Sequence, residues 1–125
     1  IGGDKGQLAP LAGGTLLAAF SGSEVGRSLD RADRRYAEEA AHKSLDSAPN
    51  GQASSWTNTE NRHTGAFTPV NTYRSADGLL CRDYDMSVTV DGRTRDAAGT
   101  ACQASGGAWR IVETPVRRAI RHTNP

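Results

Sequence analysis

The spacing of apolar residues changes near residue 51 from a helical period to a strand period. Between Asp30 and Leu45, apolar residues recur on one helical stripe, and most charged residues fall on the other faces. Ser28 or Asp30 can cap the start of this helix, and Asn50-Gly51 lies where it should end. The pattern predicts an amphipathic helix from Asp30 to Leu45.

After residue 51, β-branched and aromatic residues occur in short runs separated by turn residues. We predict five strands, at 53–57, 66–74, 79–90, 93–103 and 108–113. Because the connections between them are short, consecutive strands should pair as an antiparallel meander. The fold class is therefore α+β: a glycine-zipper and amphipathic helix, then a four- to five-stranded antiparallel meander with one cross-strand disulfide.

The hairpin with Asp91-Gly92 at its tip predicts that disulfide. Asp-Gly between strand-like residues favours a type I′ turn, which needs positive φ at both central positions. Cys81 lies ten residues before Asp91, and Cys102 lies ten residues after Gly92, so the turn places them opposite each other. Alternation makes them a non-hydrogen-bonded pair, whose Cα atoms lie about 4.5 Å apart, within reach of a disulfide. Two buried free thiols are the alternative.

The same register assigns side chains to the two faces of the sheet. One face should be covered by the helix, and its predicted members are Phe67, Tyr73, Tyr84, Met86, Val88 and Val90. The other face should be partly exposed, with Cys81, Asp83, Asp85, Ser87 and Thr89. We expect Trp109 and Ile111 on this second face, beside the disulfide, where they offer a surface for a protein partner.

Small residues at a four-residue spacing mark the segment before the helix. Gly14, Ala18, Gly22 and Gly26 would lie on one face of a continuous helix and let a second helix or a membrane approach closely. A glycine-rich linker or a short packed helix is the alternative. The apolar run from Leu16 to Phe20 is too short to cross a bilayer, which needs about 20 residues.

Charge and composition narrow the functional classes. The chain has 125 residues, with 15 basic and 14 acidic side chains, so it carries no overall signature of nucleic-acid binding. With 36% hydrophobic residues the core is small, and a disulfide would stabilise it. Because structural disulfides persist in oxidising compartments, we expect an exported protein.

Candidate chemistry is sparse. The three histidines, His42, His63 and His122, lie in no metal-binding or nucleophilic motif. Asp83 and Asp85 point to the same face of one strand, an arrangement that can support acid–base chemistry but more often forms a solvated surface. The sequence therefore predicts no catalytic residue, no cofactor and no metal.

The C-terminal residues are basic through Arg117, Arg118 and Arg121. Such a run is usually a solvated end, and the alternative is contact with an anionic glycolipid or an acidic partner. We therefore divide the chain into three segments. Residues 1–29 are a glycine zipper that associates with a membrane or a partner. Residues 30–113 are the helix and antiparallel β-domain, and residues 114–125 are the basic tail.

The order of these segments resembles the rickettsial 17 kDa surface antigen family of bacterial outer-membrane lipoproteins. The residues that carry the likeness are Gly22–Arg34, Cys81–Tyr84 and Gly99–Cys102. The resemblance implies a glycine-zipper segment at the outer membrane, a periplasmic or surface β-domain, and no catalytic site. The lipobox cysteine of such lipoproteins is not among the two cysteines here.

Two functional hypotheses follow. The first is a non-enzymatic envelope protein, an outer-membrane surface antigen that acts as a structural or assembly subunit with an envelope protein or like subunits as its partner. The second is a soluble periplasmic module that binds or inhibits a protein through the Trp109 face or a strand edge.

Overall fold

The computed structural model describes residues 7–104 and 106–113. Its elements are β1 (Gln7–Pro10), α1 (Gly13–Leu17), a 3₁₀ turn (Ala18–Phe20), α2 (Glu24–Arg27), α3 (Arg31–Ser47), β2 (Ser54–Asn58), β3 (His63–Arg74), β4 (Leu80–Val90), β5 (Arg93–Gln103) and β6 (Trp109–Glu113). The α+β class, the long helix and the disulfide are confirmed.

The six strands found in this part of the chain form one antiparallel sheet in the order β1-β6-β5-β4-β3-β2. The strands from β2 to β6 are the predicted meander. β1 adds an edge that the sequence pattern did not predict, with Gln7 opposite Glu113. The described chain therefore begins and ends side by side at one corner of the sheet.

The hairpin register is confirmed residue by residue. Val90 pairs with Arg93 and Cys81 with Cys102, ten pairs in continuous register. Asp91 has a φ of 52° and Gly92 a φ of 79°, as a turn with two left-handed residues requires.

Helix α3 packs on one face of the sheet and is fixed at its start by a reciprocal cap. The Asp33 backbone N–H donates to the Asp30 carboxylate, and the Asp30 N–H donates to the Asp33 carboxylate. The core beneath the helix holds Ala37, Ala41 and Leu45, with Phe67, Tyr84, Met86 and Val88 from the sheet.

Two strand glycines make room for aromatic side chains in this core. Gly65 lies opposite Trp56, and Gly99 lies opposite Tyr84. A Cβ at Gly65 would lie 2.3 Å from Trp56 Nε1, and a Cβ at Gly99 would lie 2.4 Å from the Tyr84 hydroxyl. Each aromatic ring therefore folds over the glycine of the neighbouring strand, and only glycine fits there.

The segment before α3 is not the continuous helix that the small-residue spacing predicted. It consists of α1, the 3₁₀ turn and α2, and Gly22 has a φ of 88° between them, which no α-helical residue adopts. Gly14, Ala18 and Gly22 are exposed, while a Cβ at Gly26 would lie 2.0 Å from the Phe20 carbonyl oxygen. The four positions do not share one helical face.

The apolar residues of this segment instead join the main core. Leu11, Leu16, Leu17, Phe20, Val25 and Leu29 are all buried in the same hydrophobic cluster as the sheet residues. The conformation of this segment is therefore explained by its buried apolar side chains and not by its small residues. Hydrophobic burial against α3 and the sheet decides the path of the chain, since the short helices could not persist alone in water.

The sheet face predicted for Tyr73 is wrong, and so is the face predicted for Trp109 and Ile111. Each error has a separate physical reason. Tyr73 pairs with Cys81 and lies on the open face, because the register shifts by one residue between Pro69 and Asn71, at a bulge. Trp109 and Ile111 lie on the helix face, because Cys102 pairs with Arg110 and therefore places Arg110 beside the disulfide. A single-residue shift moves every later side chain to the opposite face.

Candidate functional site

The most buried polar cluster joins the start of α3 to the turn between β2 and β3. Asp33 is fully buried, and its carboxylate lies 2.7 Å from His63 Nδ1 and 2.9 Å from the Asn58 amide nitrogen. Asn61 donates to the carboxylates of both Asp33 and Asp30. Since a carboxylate only accepts hydrogen bonds, the His63 ring donates from Nδ1.

The electrostatics of this cluster favour an ionised Asp33. Burial alone raises the pKa of this carboxyl, but the bonds from the Asp30 backbone, His63, Asn58 and Asn61 outweigh it and hold the pKa below its usual value. The cluster therefore joins α3 to the sheet through hydrogen bonds to one carboxylate.

Arg82 performs the same task at the other end of α3. Its guanidinium donates to the carbonyl oxygens of Ser44, Leu45 and Ala48, at 3.1, 3.0 and 2.7 Å. Its Nε donates to Thr72 Oγ1. The last carbonyls of a helix lack intrahelical donors and carry partial negative charge, so a buried cation there stabilises the helix end. Burial lowers the pKa of Arg82.

The opposite face of the sheet has no helix packed on it in the described part of the chain, and it is polar. Its side chains on β4 and β5 include Asp83, Asp85, Ser87, Thr89, Thr94, Asp96, Ala98 and Thr100. Thr89 and Thr94 pair through their hydroxyls at 2.8 Å. Asp85, Asp96 and Ala98 line a shallow surface depression on this face.

The carboxylate pair that the sequence suggested does not form a reactive site. Asp83 accepts hydrogen bonds from the hydroxyls of Tyr73 and Thr100, at 3.1 and 2.7 Å. Asp85 is exposed two residues along the strand. The two carboxylates therefore occupy different environments, one engaged with hydroxyls and one in solvent.

The disulfide closes the hairpin at the base of this face. Cys81 and Cys102 are bonded, both are buried, and their Cα atoms lie 4.0 Å apart. Asp83 and Thr100 form the next cross-strand pair on the same face of the sheet. The bond therefore fixes the register of the strands that carry the polar face.

The predicted partner-binding residues fall into two groups. Trp109 and Ile111 are 5% and 7% exposed, and the Trp109 indole donates to Asp46 of α3 at 2.9 Å, so they are core residues and the prediction of a contact surface is wrong for them. Arg117, Arg118 and Arg121 lie outside the described residues, as does His122. In residues 7–104 and 106–113, no three His, Cys, Asp or Glu side chains gather closely enough to hold a metal ion.

Comparison with known proteins gives the family. A family profile described as "17 kDa outer membrane surface antigen" matches residues 43–110. The 17 kDa surface antigen of Rickettsia bellii is 38% identical over 112 residues, which cover 90% of this chain and 70% of the relative. The chain belongs to the 17 kDa outer membrane surface antigen family.

Other relatives in this family match a shorter stretch. The 17 kDa surface antigen of Rickettsia conorii is 39% identical over 84 residues, covering 67% of this chain and 53% of the relative. That of Rickettsia prowazekii is 39% identical over 83 residues, covering 66% and 52%. No solved structure matches the chain. Among the described residues, none of the helices has both the length and the hydrophobicity to span a bilayer.

The sequence analysis did not identify the two residues that hold α3 in place. A capping role for Asp33 could be predicted, since Asp30 and Asp33 have capping-box spacing at the start of the predicted helix. Arg82 had an indirect signal, because it is a cation within an otherwise apolar alternation on the helix face of β4. Its partners, the carbonyls near Ser44, become visible only once the helix is placed on the sheet.

Proposed function

We propose that this protein is a non-enzymatic subunit of the bacterial cell envelope, located at the outer membrane and acting in structure or assembly. The observation that carries the proposal is membership in a family of outer membrane surface antigens, with 38% identity over 112 residues to one relative. The buried ionisable groups described above support it, because Asp33, His63 and Arg82 are all engaged in holding the helix to the sheet.

The N-terminal segment supplies the surface that we assign to a membrane or envelope partner. Gly14, Ala18 and Gly22 are exposed, and a Cβ at Gly14 would meet nothing within 4 Å. These three exposed positions, which we call the patch although they do not share one helical face, lie on the outside of a segment whose large apolar residues face the core. The patch offers backbone for close approach of a second surface, which is the useful property of small residues at interfaces.

The test replaces small residues of the patch without disturbing the core. Gly14→Leu with Ala18→Leu should release the protein from the membrane fraction or reduce the size of its cross-linked complexes, because the added side chains hold the partner surface away. Ala53→Leu, an exposed position before β2, is the matched control. If both proteins remain in the membrane fraction with unchanged complexes, the patch has no such role.

The alternative is a soluble periplasmic module that binds or inhibits another protein. Two exposed hydrophobic side chains at the β3 bulge favour it, Val70 at 45% and Tyr73 at 37% exposure. Washing envelope membranes with salt distinguishes the hypotheses. Release of native protein by salt alone supports the soluble module, whereas retention until detergent is added supports the membrane-associated subunit.

A further inference from the structure

Strand β2 is one edge of the sheet, and no other strand of the described residues lies beyond it. Hydrogen-bonded pairs alternate along an antiparallel ladder, and Val90 with Arg93 is such a pair beside the hairpin turn. Counted from there through β4 and β3, the alternation directs the backbone N–H and C=O groups of Ser55 and Thr57 away from β3. The described residues make no hydrogen bond to these groups.

β2 also lacks the features by which natural sheets prevent pairing at an edge. Its five residues, SSWTN, include no charged side chain and no proline. At the opposite edge of the sheet, β1 has only four residues and contains Pro10. The part of β5 that extends past its pairing with β6 carries Arg93, Arg95 and Asp96. Of these strand edges, β2 is therefore the one that is open to a further strand.

The sequence of β2 is complementary to itself about a two-fold axis at Trp56. Antiparallel pairing of two copies about this axis places Ser55 of each copy opposite Thr57 of the other, with the outward backbone groups of both residues at hydrogen-bonded positions. Hydroxyl side chains are favourable cross-strand pairs, and this sheet already contains one, Thr89 with Thr94 at 2.8 Å. No like charges meet across the axis, because β2 carries none.

Helix α3 brings a largely uncharged flank to the same edge. Tyr36 stacks on Trp56, with ring centroids 6.5 Å apart and ring planes at 10°. Ala32 and Ala40 lie four residues before and after Tyr36, on the same helical stripe, and Ala32 and Tyr36 are half-buried. Because α3 packs over both β2 and β3, two copies paired through β2 would hold their α3 helices two strand spacings apart, about 10 Å. This is the distance at which packed helices make contact.

We propose that two copies of this protein associate through β2, paired antiparallel about Trp56, with their α3 helices side by side. The two sheets then form one continuous sheet, and Ala32 of each copy lies beside Ala40 of the other. The interface is the same on both copies, so the assembly closes as a dimer. It uses none of the residues that we assign to a membrane or envelope partner, and it does not depend on that assignment.

Charged substitutions on β2 test the pairing. Ser55 and Thr57 are exposed, so Ser55→Lys/Thr57→Lys spares the core of each copy and places lysine opposite lysine twice across the interface. Sedimentation equilibrium of the full chain should show a dimer for the parent, and a dissociation constant about tenfold higher for this variant. Ser55→Glu/Thr57→Glu should be impaired in the same way. An equimolar mixture of the two variants should recover dimers, since each lysine then faces a glutamate. Ser21→Lys/Ser28→Lys adds the same charge at exposed positions elsewhere and should dimerise as the parent does.

Hydrogen exchange tests the same interface without any substitution. The amides of Ser55 and Thr57 should exchange more slowly as the concentration of the full chain rises, because dimerisation pairs them. The amides of Thr94 and Asp96, at the β5 edge that no described strand covers, should not change. A parent that stays monomeric, exchange at Ser55 and Thr57 that is independent of concentration, or dimers that persist in both charged variants would each overturn the proposal. Slower exchange that requires added envelope membranes would assign the edge to a different partner and would also contradict it.

Discussion

In this small domain, a few buried residues hold helix α3 against the sheet or keep neighbouring strands in register. With 36% hydrophobic residues, the chain relies on Asp33, Arg82 and the Cys81–Cys102 bond at points where the helix meets the sheet or where strands must keep register. All three are buried, and loss of Asp33 or Arg82 leaves its hydrogen-bond partners unsatisfied in a low-dielectric environment. Their substitution should therefore cost more than that of surface residues.

Removal of the disulfide should lower stability without changing the fold. Cys81→Ser/Cys102→Ser should lower the free energy of unfolding by about 2–4 kcal/mol, because the unfolded chain regains the entropy of an open loop. Urea titration at fixed pH measures the change. A double variant as stable as the oxidised parent would contradict this view of the bond.

Asp33 should make stability dependent on pH in the acid range. Its folded-state pKa is depressed, so the ionised carboxylate stabilises the fold above the unfolded-state pKa of about 4, and this stability is lost as the pH falls through the lower folded-state value. Asp33→Asn should lose about 1.5–3 kcal/mol at neutral pH, as expected for charged hydrogen bonds.

The same variant should also show a weaker fall of stability between neutral pH and acid. Melting temperatures measured from neutral pH down to the acid range test both effects. Glu39→Gln, an exposed carboxyl on the same helix, is the control and should follow the parent. A curve for Asp33→Asn parallel to that of the parent would show that Asp33 does not carry this pH dependence.

Single elements depend on contacts at both of their ends. Helix α3 has a capping box at Asp30 and Asp33, whereas its C-terminal carbonyls are satisfied by Arg82 from β4. The strands likewise depend on paired residues, as in the glycine–aromatic pairs of Trp56 with Gly65 and Tyr84 with Gly99. Local sequence propensity favours each helix or strand, and contacts from a second element stabilise it.

Loss of the guanidinium should loosen the end of α3. Arg82→Met keeps most of the side-chain volume but removes the donors to Ser44, Leu45 and Ala48, and should cost about 2–3 kcal/mol because these carbonyls become unsatisfied. Hydrogen exchange should then be faster in the last turn of α3, with the first turn less affected.

Arg82→Lys separates charge from geometry in the same experiment. Lysine keeps the positive charge but cannot reach three carbonyls with a planar fork, so it should restore only part of the lost stability. Full restoration by lysine would show that charge at the helix end is sufficient.

At the scale of the molecule, the segment from Leu11 to Leu29 is part of the β-domain. Its apolar side chains are buried with those of α3 and the sheet, and β1 pairs with β6. Glu24 of α2 also forms an ion pair with Arg93 at the far end of the hairpin. The domain boundary at residue 29 that the sequence suggested therefore remains a proposal about function, while the hydrophobic core crosses it.

Phe20 tests this continuity. If the segment is part of one cooperative unit, Phe20→Ala should lower the free energy of unfolding of the whole domain by about 3–5 kcal/mol, because it opens a cavity in the shared core. Far-UV circular dichroism of the sheet and tryptophan fluorescence should shift together in a urea titration. Ala19→Ser, at the exposed neighbour, should leave the midpoint unchanged. A sheet that keeps the parent's midpoint in Phe20→Ala would make the segment an independent arm.

The sequence by itself determined the long helix, the meander and the disulfide, since each depends on local signals: a 3.6-residue period, an Asp-Gly turn, and two cysteines equidistant from it. Tertiary structure decided the rest. The bulge after Pro69 moved Tyr73 to the open face, and the pairing of Cys102 with Arg110 buried Trp109 and Ile111. The spacing of small residues before α3 matched a helix, but burial of Phe20 and its apolar neighbours was worth more than helical continuity, because hydrophobic area removed from water outweighs the propensity of a glycine-rich segment.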